Sequence, residues 1–149
     1  AWPIYDASKR EHQRTAARDA FREILSEIGN KYSSTEVDER AHVQFIESVS
    51  NRLSAKLGNT LHRGRFRFGV SQKLVNLHLK YLWVAGIVKE PMHCPIDGII
   101  RDLAGIQYDW TRSDSLDEYI SAIASLKLIA GAKSLPVWEL ERFRRRADA

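Results

Sequence analysis

Lys73 and Asp97 are the two side chains whose types and positions suggest chemistry, because each stands where a helix is expected to begin. A neutral lysine amine is a nucleophile toward a sugar aldehyde or its oxocarbenium-like precursor, and burial and nearby positive charge both favour the neutral form. Arg67 and Lys80 are expected to supply that charge around Lys73. Asp97 would be ionised at its helix start, where a carboxylate stabilises developing positive charge or activates a water. The structural alternative is that Asp97 only caps its helix and Lys73 only extends its ammonium to solvent. His93 and Cys94 are adjacent, but no second pair stands at metal-ligand spacing. The reading therefore calls for no metal, and nothing in the sequence calls for a cofactor.

Helical periodicity must position both residues. Ala16, Ala17, Ala20, Phe21, Ile24, Leu25 and Ile28 pattern a first helix, opened by Asp6 or Ser8 and stopped near Gly29 and Asn30, with Lys9, Arg10, Arg14, Arg18 and Arg22 outside. Ser33, Ser34 and Thr35 are expected to start a second, whose apolar stripe runs from Val37 to Leu57 before Gly58. Leu61 to Phe68 alternates, which predicts an extended connector with Phe66 and Phe68 buried and Arg63, Arg65 and Arg67 pointing outward. Ser71 is placed to cap a central helix over 71–85, apolar around most of its circumference and so buried on nearly all sides. Lys73, Asn76 and Lys80 form its polar stripe, which must reach solvent or line a cleft. His78, on the apolar arc, reads as a core histidine.

Beyond a loop holding Pro91 and Pro95, Asp97 caps a short helix, Gly98 to Ala104. Ser113 or Ser115 opens the next, with Ser115 and Glu118 at capping-box spacing and Gly131 at its end. Ser134 and Pro136 open the last, with Val137, Trp138, Leu140 and Phe143 inward and Arg142, Arg144, Arg145 and Arg146 closing it. The expected fold is all-α: a bundle of about six helices around 71–85, in one domain spanning 1–149. Ala1 in place of Met fits a processed start or a piece of a longer protein.

The chain carries a net charge of +4, and its distribution matters more than its size. No Asp or Glu occurs from Ser48 to Lys89, while Arg52, Lys56, Arg63, Arg65, Arg67, Lys73, Lys80 and Lys89 are basic. An uncompensated basic region of this size is expected to attract a polyanion through counterion release, the alternative being solvated lysines scattered over several faces. The lone Cys94 points to a reducing, cytoplasmic setting, and no apolar run is long enough for a bilayer. The oligomeric state is left open.

Phe68-Gly69-Val70-Ser71-Gln72-Lys73-Leu74, followed by Pro95-Ile96-Asp97, resembles the core of the helix-hairpin-helix DNA glycosylases, the superfamily of endonuclease III and the 8-oxoguanine DNA glycosylases. Phe68 stands at that motif's proline and Ser71 at its second glycine. The resemblance implies a hairpin in which Gly69, Val70 and Ser71 bind a DNA phosphate, Lys73 as the Schiff-base nucleophile and Asp97 as the catalytic carboxylate. It makes DNA, rather than RNA, the favoured partner, with Arg63, Arg65, Arg67 and Lys80 along the backbone and Trp83, Tyr108 or Trp110 stacking a flipped base. The expected function is a glycosylase-like DNA-repair hydrolase excising a damaged or modified base. The alternatives are a non-enzymatic nucleic-acid-binding or adaptor module and a protein–protein interaction domain.

Overall fold

Apolar residues recurring every three or four positions fold this chain into helices. The computed structural model describes residues 1–8 and 11–148, with side chains described for 1–8 and 13–142. Among the described residues there are six α-helices: α1 Glu11–Ser34, α2 Glu39–Leu57, α3 Phe68–Val84, α4 Gly98–Ala104, α5 Leu116–Ala130 and α6 Leu135–Asp148. Two 3-10 turns, Gly58–Thr60 and His62–Gly64, join α2 to α3. Among the described residues there is no strand, only an isolated antiparallel bridge between Tyr5 and Leu61 that lays the N-terminal segment beside this connector. The expected all-α bundle is what forms.

The central helix is α3, which packs against both α1 and α2. Val75 and Leu79 are buried along it, against a core that includes Ile28, Ile46, Val49, Leu53 and Leu126. Burial falls away toward its end, where Tyr81 and Val84 are more than half exposed. The helix is therefore not buried along its whole length. Asn76, expected to share a stripe with Lys73 and Lys80, lies inside the core at 1 % exposure.

Three boundaries differ from the sequence expectation. The first helix passes through Gly29 and Asn30 to Ser34, and at its end the Ser34 and Thr35 hydroxyls donate back to the carbonyls of Asn30 and Lys31 (2.5 and 2.9 Å). Asp38, rather than Ser33 to Thr35, caps α2, its Oδ1 accepting from the Ala41 amide at 2.8 Å. The third helix begins at Phe68, three residues before the expected Ser71 cap. Asp114 Oδ1 accepts from the Phe68 amide (3.0 Å) and the Ser113 carbonyl from the Gly69 amide (2.9 Å), so a distant loop does the capping. Ser71 then falls inside the helix, fully buried, with its hydroxyl unpartnered.

The caps expected for α4, α5 and α6 are where the sequence put them. Asp97 caps α4, Ser115 caps α5 by accepting from the Glu118 amide, and the Ser134 hydroxyl accepts from the Val137 amide at the start of α6. Phe143, Arg144, Arg145 and Arg146 lie outside the described side chains, and Lys9 and Arg10 outside the described residues. No single described helix is long and apolar enough to cross a bilayer.

Candidate active site

Lys73 and Asp97 are brought together by their neighbours. Gln72, on α3, clamps the loop before α4: its Nε2 donates to the Ile96 carbonyl (2.6 Å) and its Oε1 accepts from the Ile96 amide (3.1 Å). With residue 72 tied to residue 96, the next residue on each side also meets, and Lys73 Nζ stands 3.8 Å from Asp97 Oδ2. Asp97 uses its two oxygens differently. Oδ1 accepts from the Ile100 amide (3.0 Å) as the cap of α4, while Oδ2 faces the lysine. Both side chains are a little over a quarter exposed, so ligand and solvent can reach them.

Trp110 completes the group. The Lys73 ammonium lies 4.3 Å from its ring centroid, a cation–π contact. The loop carrying Trp110 docks directly on the first turn of α3, where a Cβ added to Gly69 would lie 2.1 Å from the Trp110 carbonyl oxygen. Beside Lys73 and Trp110 opens a recess of about 270 Å³, otherwise lined by Ile4, Phe21, Phe66, Val70, Leu74 and Leu77. An amine, a carboxylate, an aromatic face and an apolar recess thus share one place. Asp97 meets Lys73 without lining the recess.

The other expected site residues are placed differently. Gly69, Val70 and Ser71 form the first turn of α3, reached through a connector spanning 58–67 rather than a tight hairpin between two helices. The Gly69 amide is taken by Ser113 and the Ser71 amide by the Arg67 carbonyl, so neither is open to a phosphate. Arg67 points inward at 3 % exposure and donates to the carbonyls of Thr111 (2.5 Å) and Pro3 (2.7 Å). Arg65 forks onto Asp114 at 2.8 and 3.3 Å, and Lys80 pairs with the buried Glu139 at 2.8 Å. Arg63 lies over the Trp2 ring at 4.3 Å, held by a left-handed backbone (φ 55°) uncommon outside glycine. Of Trp83, Tyr108 and Trp110, the residues expected to stack a base, Tyr108 is buried and Trp110 lines the recess.

Six of the eight basic residues of the acid-free stretch are accordingly paired with an acid in space. Glu27 pairs with Arg52, Glu23 with Lys56, Asp114 with Arg65, Asp97 with Lys73, Glu139 with Lys80 and Glu36 with Lys89. These acids lie before and after the stretch in sequence, so a count along the chain misses them.

A polar network inside the core was also missed. The Asn76 carbonyl can only accept, so His42 must donate to it from Nε2 (2.8 Å), which leaves His42 Nδ1 to accept from the Tyr32 hydroxyl (2.6 Å). Asn76 Nδ2 donates to the Tyr119 hydroxyl (3.0 Å), Tyr119 donates to His93 Nδ1 (2.6 Å), and His93 Nε2 donates to Glu39 (3.0 Å). Every donor in the chain points toward Glu39, which Lys127 also contacts. Both histidines are thereby neutral Nε2–H tautomers. Burial, with the neighbouring His93, pulls the His42 pKa down to about 4, and burial lowers that of His93. The Glu39 carboxyl is held below its usual range, first by the Lys127 hydrogen bond. The visible sequence signal for this network was Gln72 and Asn76, two amides one turn apart on the central helix.

Among the described residues, no three His, Cys, Asp or Glu side chains converge as metal ligands would. Burial pushes the Cys94 thiol up, away from the reactive thiolate. No protein-family model, no curated protein and no solved structure gives a significant match to this chain.

Proposed function

We propose that this chain is a glycosylase-like helical protein that acts on DNA through Lys73 and Asp97. The observation that carries the reading is the meeting of these two side chains, 3.8 Å apart, from separate helices. Sequence resemblance assigns the same two residues the nucleophile and carboxylate roles. In this mechanism Asp97 Oδ2 takes a proton from the Lys73 ammonium, the freed amine bonds to the sugar carbon as the glycosidic C–N bond of a flipped nucleotide breaks, and the base leaves with the bonding electrons and takes up that proton. The Asp97 carboxylate faces the positive charge that develops at the sugar. Trp110 offers a face for stacking.

Borohydride trapping on duplex DNA carrying an abasic site tests this. A covalent protein–DNA adduct should form with the unaltered chain and vanish in Lys73→Ala. If no adduct forms, or if one persists in that variant, the Schiff-base role is lost.

One observation favours a second reading. The acid pairing of Arg52, Lys56, Arg65, Lys80 and Lys89 weakens the pull on a polyanion, while Ile120, Leu128 and Ile129 of α5 stand exposed, Leu128 at 85 %. A protein-interaction domain would have these features. It predicts little DNA affinity at physiological salt, where a DNA enzyme should retain measurable binding.

A further inference from the structure

The recess next to Lys73 is almost without polar groups. Ile4, Phe21, Phe66, Val70, Leu74 and Leu77 line it, and Lys73 and Trp110 are the lining residues that carry a polar group. A ligand whose edge carries hydrogen-bonding groups would leave them unpaired there, at a cost that selects against it. At about 270 Å³ it is at the small end of ligand sites. We infer that this recess takes a small apolar carbonyl compound, an aromatic or branched aldehyde, and holds it as an iminium on Lys73. The inference rests on the same Lys73–Asp97 pair as the function proposed above, but not on nucleic acid.

The charge arrangement fits that step. The Lys73 ammonium is one positive charge facing a carboxylate at 3.8 Å and an aromatic ring at 4.3 Å. Asp97 takes a proton from the ammonium, and the freed amine attacks the carbonyl carbon to form a carbinolamine. That proton returns to the hydroxyl, water leaves with the C–O electrons, and the C=N bond forms. Ammonium and aldehyde become iminium and water, with one positive charge before and after. The groups that hold the ammonium therefore hold the product equally well, and an apolar body in the recess adds burial that a polar aldehyde lacks.

The test is reductive labelling of the whole chain with benzaldehyde and cyanoborohydride, followed by peptide mapping. Lys73 should be labelled ahead of the other lysines, and benzaldehyde should outpace glycolaldehyde at Lys73 by about 10-fold or more. Lys73→Arg, which keeps the charge but forms no imine, should abolish the preferred label. Asp97→Asn should slow it, with helical content unchanged by circular dichroism. Labelling spread evenly over the lysines, or equal reaction with glycolaldehyde, overturns the inference. An adduct with abasic DNA but no preference for benzaldehyde overturns it too, and leaves the DNA reading standing. A benzaldehyde adduct without a DNA adduct supports it and removes that reading.

Discussion

Asp97 carries two roles on two oxygens, and substitution can separate them. Asparagine caps a helix about as well as aspartate, so Asp97→Asn should keep the Oδ1 contact to the Ile100 amide and lose only the charge facing Lys73. A partly exposed pair at this separation contributes little, so the Asn variant should unfold within ~0.5 kcal/mol of the parent. Asp97→Ala removes the cap as well and should cost about 1 kcal/mol. Denaturant unfolding of the two variants checks this, and equal losses would mean that the charge, not the cap, holds the loop. Asp97 was legible in the sequence because capping is local chemistry. Gln72, which sets the distance between Asp97 and Lys73, was not, because its partner is the backbone of a residue far along the chain.

At the scale of elements, two glycines show where local rules stop being sufficient. Gly29 looks like a helix stop, yet α1 runs through it. Gly58, Gly105 and Gly131 do end helices, and each has the positive φ that a side chain resists. Gly29 has an ordinary helical backbone, and a Cβ there would meet only Leu82 Cδ1 at 3.9 Å. Gly29→Ala should therefore stabilise the protein by ~0.5–1 kcal/mol. Gly69 is opposite in kind: a Cβ there would strike the Trp110 carbonyl oxygen, a backbone atom, at 2.1 Å. Gly69→Ala should cost ~1–3 kcal/mol and move Trp110 off Lys73. Thermal melts of both variants should shift in opposite directions, and tryptophan fluorescence should change only in Gly69→Ala. The resemblance assigned Gly69 to phosphate contact, whereas its place in the fold is to let a loop close onto α3.

Across the whole molecule, the chain from Tyr32 to Glu39 ties α1, α2, α3, α5 and the loop before α4 into one polar lattice. Periodicity reports apolar faces, so the helices were legible while this lattice, built from single polar residues on separate elements, was not. It makes stability depend on pH in a direction that follows from its tautomers. His42 is neutral in the fold with a pKa near 4 but titrates near 6.5 when unfolded, so between these values the unfolded chain binds more protons. Stability is then full above about pH 6.5 and falls as pH drops toward 4, by about 3 kcal/mol for His42 alone; His93 and, outside the lattice, His78 are also lowered by burial and add in the same direction. Glu39, held low by Lys127 and His93, contributes stability that is lost only in the acid range as the carboxyl protonates, so the loss between pH 6.5 and 5 belongs to the histidines. His42→Gln isolates the cause, because the amide can donate to Asn76 and accept from Tyr32 without titrating. Urea unfolding from pH 7.5 to 5 should show a falling midpoint in the parent and a flatter profile in His42→Gln. Equal slopes in both would place the proton uptake elsewhere than His42.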